Sequence, residues 1–288
     1  MFLSGIADEA GKDLWTQIRA HKDLGWSHIE IRNVGGTQFT DIPDAEFDEA
    51  CRSLDEAGIE VSCFASAIAN WATRITDPVE KSLDVLERAM PRMKRLGCRF
   101  IRTMSWPNDG LPVDEWRDEC VRKMKRLAAR AEDEGVVLVV ENCSGWASES
   151  AADYARFFEL VGLPAVKAVY DTGNPASHGH ADTWQWYLAA KPHIVYVHIK
   201  SHTAPDPSGE PGRHVWPEEG AGMVLETLKD LFAGGYDGGV SIEPHLGSII
   251  HLGREMTDAE SAYLTYVEYG RRAARLVDLA RADLEMEK

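Results

Sequence analysis

The sequence predicts an α/β chain folded as a closed (β/α)8 TIM barrel, a single domain over residues 1–288 with an extended C-terminal helix. Two observations carry that reading. Apolar, β-branched runs alternate with stretches of helical period from end to end, eight of each, with no long linker. Several helical stretches also stop on a glycine before the next apolar run, as in DLGW, EAGIE, RLGCR and DEGVV.

The first pair is a strand at Leu3–Ala7 and a helix at Lys12–Leu24. Pairs follow at His28–Arg32 with Asp44–Ala57, Glu60–Phe64 with Pro78–Leu96, and Phe100–Met104 with Val113–Glu134. In the second half, Val136–Glu141 leads to Ala151–Val161, and Val166–Asp171 to Thr183–Ala190. Ile194–Ile199 leads to Met223–Ala233, and Gly239–Glu243 to Asp258–Met286. The last helix runs past ordinary barrel length; Tyr263, Tyr266, Val267 and Tyr269 are expected to pack on the barrel, while its charged end frays or meets a second subunit. No GxGxxG or GxxxxGK[ST] loop follows an early strand, which argues against nucleotide binding.

Bulk properties exclude more than they identify. A chain of 288 residues, 44% hydrophobic, can bury one large core. No apolar stretch approaches the roughly 20 residues that cross a bilayer, and MFLSGIADEA lacks the basic start and long apolar run of a secretory signal. Cys51, Cys63, Cys98, Cys120 and Cys143 form an odd set without motif spacing, as expected of reduced, mostly buried thiols in a cytoplasmic protein. A formal charge of −16 repels phosphate backbones and anionic lipid, and the basic stretch Arg122–Arg130 runs directly into Glu132 and Glu134. Neither nucleic acid nor membrane is an expected partner.

The chemistry is concentrated where strands end. VVLVVEN, AVYDTGN, VYVHIKS and GGVSIEPH each run apolar until one hard ligand appears: Glu141, Asp171, His198 and Glu243. In a parallel barrel the active site lies at the C-terminal strand ends. Alternation sharpens the reading: His198 and Lys200 share one face with Val197 and Ile199 on the other, and Ser241, Glu243 and His245 share a face. Two glutamates, one aspartate and one histidine make an oxygen-rich set suited to Mn²⁺, Mg²⁺ or Co²⁺, with Mn²⁺ favoured; Zn²⁺ more usually draws further His or Cys. Taken singly, each acid is equally well read as a rim salt bridge.

The four strand endings, together with ENCSGW, YDTGN, HIK and GYDGGVSIEPH, resemble the xylose isomerase-like barrels. That group contains sugar and sugar-phosphate isomerases and epimerases, inosose dehydratases and, more distantly, endonuclease IV-type enzymes. The resemblance spans nearly the whole chain, including IEIRN and LGCRFIR. It implies one divalent metal on Glu141, Asp171, His198 and Glu243, with Glu141 and Glu243 also moving protons on opposite faces of a ketose. Chelation by a carbonyl and its neighbouring hydroxyl would acidify the α-hydrogen and stabilise an enediolate. One departure stands out: where many members carry a histidine three residues after the strand-six aspartate, this chain has Asn174, and His178 can substitute only if the loop folds back. The endonuclease branch needs many histidines, which the first four strand ends lack.

Further candidates each have a plainer reading. Lys200 either holds a substrate oxygen or pairs with Glu243 or Asp171. His245 has a similar claim, although the following Leu-Gly suggests an exposed turn. Glu30 and Arg32, on one face of strand two, either pair with each other as barrel filling, the favoured reading, or Arg32 reaches an anionic group. Trp106 and Trp71 either stack on a sugar or fill the barrel mouth. Asn142 orients substrate or caps a loop, and Arg213 with His214 lies in loop 204–221, a candidate lid. The expected function is a metal-dependent isomerase or epimerase of a small polyhydroxy ketone or cyclitol, not phosphorylated. The alternatives are a lyase sharing its first step and a non-catalytic metal or sugar binder. A homo-oligomer is compatible with the long final helix.

Overall fold

The computed structural model describes residues 1–204, 212–246, 248–249, 254–255 and 259–286. Eight parallel strands form the wall: β1 (Phe2–Gly5), β2 (His28–Ile31), β3 (Glu60–Phe64), β4 (Phe100–Ser105), β5 (Val137–Gly145), β6 (Val166–Asp171), β7 (Ile194–Ile199) and β8 (Gly239–Ile242). Hydrogen-bonded neighbours run β1-β8-β7-β6-β5-β4-β3-β2, and an isolated parallel bridge from Ile6 to Glu30 joins the two ends. The expected barrel is the observed one.

Around it lie α1 (Leu14–Asp23), α2 (Asp44–Ala57), α3 (Glu80–Arg95), α4 (Val113–Glu132), α5 (Ala151–Val161), α6 (Thr183–Ala190), α7 (Val224–Ala233) and α8 (Ala259–Met286). The helix stops follow the expected chemistry: Gly58 and Gly97 sit at φ 63° and 66°, a left-handed conformation that glycine reaches without a Cβ clash. β5 runs beyond its predicted end because Gly145 pairs with Ser105 of β4. A Cβ at Gly145 would collide with the Ser105 backbone, so the close approach requires glycine. Between β6 and α6 a one-turn helix, Asn174–Ser177, was not foreseen from the sequence.

Strand alternation decides what the barrel holds. At its N-terminal end the inward side chains Cys63, Phe100, Val139, Val169 and Tyr196 form a small apolar cluster. Two residues along the same faces, the chain places Arg102, Glu141, Asp171 and His198, all buried. The intervening residues Ile101, Val140, Tyr170 and Val197 point outward into the main core beneath the helices. The barrel is thus an apolar plug capped by a buried ionic layer at its C-terminal end. Burying an ion costs several kcal/mol unless it is paired or ligating, so the charges of that layer need partners or a ligand.

On α8, Tyr263, Tyr266, Val267 and Tyr269 are buried, as expected. Tyr266 meets His21 of α1 at 3.0 Å and Tyr263 donates to Asp23 at 2.6 Å. The cysteines are unbridged; Cys143 is half-buried and the other four are buried. Among the described residues no helix is long and apolar enough to cross a membrane.

Candidate metal centre and active site

Glu141, Asp171 and His198 occupy the C-terminal parts of β5, β6 and β7, and Glu243 follows the last residue of β8. One ligand atom from each lies within 4.8 Å of all the others. Three of the four side chains have one atom anchored and another left over. Asp171 Oδ1 accepts the backbone N–H groups of Gly173 and Asn174, both at 2.8 Å. Glu141 Oε1 accepts from Asn174 Nδ2 at 2.9 Å. His198 Nε2 lies 3.1 and 3.0 Å from the two oxygens of Glu30. The remaining atoms, Asp171 Oδ2, Glu141 Oε2 and His198 Nδ1, are buried and make no hydrogen bond among the described residues. The two carboxylate oxygens face the cations Lys200 and Arg102, while His198 Nδ1 is left without a hydrogen bond, at a cost of about 1–3 kcal/mol for an orphaned buried polar atom. Four ligand atoms within 4.8 Å of one another fit a cation. Three carboxylates and one imidazole suit a hard or borderline divalent ion. The Glu30 contact fixes the ring so that Nδ1 faces the cluster, the second-layer support typical of metal-bound histidine.

Permanent cations hold the carboxylates apart. Lys200 Nζ lies 3.0 Å from Asp171 Oδ2 and 2.6 Å from Glu243 Oε2. Arg102 Nη1 lies 3.2 Å from Glu141 Oε2 and 3.9 Å from Glu243 Oε1. Arg32 spans Asp8, at 3.1 and 3.0 Å from Nε, and Glu243, at 3.0 Å from Nη1. Even so, the buried carboxylates Asp8, Glu9, Glu30, Glu141, Asp171 and Glu243 exceed Arg32, Arg102 and Lys200 by three charges when all are ionised. A divalent ion would cancel most of that excess. The strain is visible in the acids: burial, reinforced by Glu141 and Glu243 against Lys200, pushes Asp171 up to about 6. Burial opposes ionisation of Glu141 too, but Arg102 and His198 outweigh it and bring the group down to about 2. Glu243 is likewise held well below the usual carboxylate range, burial being overcome by Lys200, His245, Arg32 and Arg102. The neighbouring cations thus favour the carboxylate form of both glutamates. Burial disfavours a charged His198 ring, yet Glu30 and Glu141 raise it to about 10, so a cation at Nδ1 would replace a proton there.

The sequence pattern of the family described as xylose isomerase-like TIM barrel matches residues 18–265. The chain belongs to this family. Among curated proteins none matches it. Solved structures do, at low identity. L-ribulose 3-epimerase superposes with a TM-score of 0.75 at 16% identity, covering 100% of this chain and 98% of that one. The probable 3-DHS dehydratase involved in petrobactin synthesis from Bacillus anthracis gives 0.70 at 14%, covering 93% and 98%. A xylose isomerase-like TIM barrel protein from Mycobacterium smegmatis in complex with magnesium gives 0.68 at 18%, covering 96% and 97%. These likenesses establish the fold.

In this xylose isomerase-like barrel a cavity of about 90 Å³ opens above the cluster, and Lys200, Asn174 and His178 all line it. The loop after β6 thus folds back far enough to bring His178 to the site. Lys200 pairs with both Asp171 and Glu243 rather than with one of them. Asn142 lies apart: its side chain accepts from the Asp171 N–H at 2.7 Å and donates to the Asp171 carbonyl at 2.9 Å, fastening β5 to β6. Trp106 is also apart, buried at φ 50° with its carbonyl accepting from Trp116 Nε1 at 2.8 Å; Trp71 lines the cavity instead. Arg213 is exposed and pairs through its backbone with Thr203, while His214 lines the cavity; residues 205–211 of the expected lid lie outside the described residues.

Two expectations are corrected. Glu30 and Arg32 do not pair: Glu30 holds His198, and Arg32 holds Asp8, Glu9 and Glu243. A register shift between Ile29 and Glu30 and the strand tilt send the two side chains to different partners across the barrel. His245 is not an exposed turn residue but 5% exposed, clamped by Glu9. Sequence reasoning also missed Arg102 and Glu9. For Arg102 a signal existed, a lone guanidinium in the apolar strand FIRTM, facing inward by alternation.

Proposed function

We propose that this protein is a divalent-metal-dependent isomerase or epimerase of a small, unphosphorylated polyhydroxy ketone or cyclitol. The observation that carries the reading is the pair Glu141 and Glu243, both buried, on strands three apart in the ring, and both members of one four-residue cluster that could hold a cation. Glu141, Asp171, His198 and Glu243 would hold the ion. When bound, it supplies positive charge that stabilises the oxygen of a substrate carbonyl as the neighbouring carbon loses its proton. Glu141, kept charged by Arg102, and Glu243, kept charged by Lys200 and Arg32, take and return that proton from their two sides. Lys200 and Asn174 present N–H groups at the cavity wall for substrate oxygens, and Met104 and Trp71 add apolar surface there. The sugar-epimerase fold relative supports this class.

A lyase is the second reading, supported by the fold likeness to a protein named as a dehydratase. Its first step is the same proton removal. Incubating Mn²⁺-loaded protein with a panel of ketoses and inososes in D₂O, followed by proton NMR, separates the cases. The expected result is deuterium at the carbon beside the carbonyl together with a new epimer or isomer, absent from metal-stripped protein. Deuterium uptake with loss of water would replace the isomerase with a lyase. Absence of exchange across the panel with metal bound would reject proton transfer and leave a binding protein.

A further inference from the structure

The cavity above the cluster does not end the concave surface. A groove of about 630 Å³ adjoins it among the loops that follow β4, β5 and β6, and Cys143 and His178 line both spaces. Ligand pockets ordinarily span about 300–1,000 Å³, so the 90 Å³ cavity falls short of that range and the groove lies within it. The walls of the groove are fixed by hydrogen bonds of the fold itself. Ser105 Oγ donates to the Ser144 carbonyl and accepts the Ala147 N–H, both at 3.0 Å. Asn108 Oδ1 accepts the N–H groups of Asp109 at 2.8 Å and Leu111 at 2.9 Å, which holds the loop after β4 in shape. Trp116 Nε1 donates to the Trp106 carbonyl at 2.8 Å. Walls held in this way lose little freedom when a ligand binds.

We infer that this groove is a second substrate subsite, and that the reacting ketose carries into it, through one of its own oxygens, a second neutral polyhydroxylated ring. The inference rests on the sugar reading above and extends it to a longer substrate. Because the same two side chains border both spaces, occupants of cavity and groove meet there, as two linked rings of one molecule do. The lining chooses the chemistry. Pro107 and Trp116 give apolar surface for the C–H bonds of a ring, while Ser144, Ser148 and Glu149 give polar groups for its hydroxyls. No lysine or arginine stands among the described residues lining the groove, and the Glu149 carboxylate opposes a phosphoryl or carboxylate group there. Ser148 is 8% exposed, and its Oγ makes no hydrogen bond among the described residues. A hydroxyl on the second ring completes it, and a ligand that stops short of the groove leaves that bond unmade.

Three ketoses test it: D-fructose, and maltulose and isomaltulose, which carry a glucosyl group on fructose O4 and O6. Initial deuterium exchange in D₂O, read by proton NMR on Mn²⁺-loaded protein at subsaturating ketose, gives relative kcat/KM. At least one disaccharide should exchange about tenfold or more faster than fructose. In Ser144→Trp, whose indole would fill the groove, that ratio should fall to about one. Ser148→Ala removes one hydroxyl and leaves the walls standing; it should lower the ratio about threefold or more, and it decides the case where the tryptophan variant does not fold. Fructose matching both disaccharides in the parent, or the parent's ratio retained by the folded variants, would overturn the subsite and leave the sugar reading standing. No exchange on any of the three overturns the subsite too. The sugar reading falls with it only where the wider panel of ketoses and inososes is equally silent.

Discussion

Turnover by the Glu243→Gln variant is expected to fall by roughly 10²–10⁴-fold on whichever ketose exchanges in D₂O, the range for losing a positioned acid–base group. The substitution keeps the side-chain volume but removes three things together: an oxygen ligand, a proton acceptor, and the counter-charge at 2.6 Å from Lys200 and 3.0 Å from Arg32. The last loss leaves buried cations short of a partner, so the melting temperature should fall as well. Glu141→Gln should lose turnover similarly, since Arg102 is its matching cation. Comparing initial rates and melting curves of the metal-loaded variants checks both effects. Parent-like rates in either would remove that glutamate from proton transfer.

The second large effect concerns a residue that does not reach the cluster. Glu30→Gln should weaken binding of the divalent ion by about 10–100-fold, the usual cost of losing second-layer support for a ligating histidine. Two consequences compete. Removing the carboxylate makes His198 easier to deprotonate, which favours the metal. It also removes an attraction for the ion itself. Glu30 favours whichever cation sits on Nδ1, and a divalent ion carries twice the charge of a proton, so the net effect is a loss. Calorimetric titration of parent and variant at one pH reads it; equal or tighter binding in Glu30→Gln would show that Glu30 only fills space. Because the ion replaces a proton held up to about 10, affinity in the parent should also fall as pH falls.

What the sequence made legible here is what strands encode locally. A two-residue period and the position of a strand's end place Glu141, Asp171, His198 and Glu243 at one rim without knowledge of any contact. The supports were illegible because each crosses the barrel: Glu30 is 168 residues from His198, and Glu9 is 236 from His245. Which inward charge meets which depends on strand tilt and closure, and no local pattern states these. Glu30 and Arg32 looked like partners only because they share a face in one strand. Two further placements coincide with unusual backbone angles. Trp106, at φ 50°, does not line the cavity, whereas His245, at φ 53°, does. Tryptophan does not favour such an angle, and histidine favours it too weakly to predict it.

Four strand ends are expected to build a single divalent-ion site. Equilibrium dialysis of metal-stripped protein against Mn²⁺, followed by metal analysis of the retentate, tests it most directly. One ion per chain is expected in the parent and none retained at the same concentration by Asp171→Ala, with circular dichroism showing that the variant still folds. Retention of one ion by folded Asp171→Ala, or none by the parent, would contradict it.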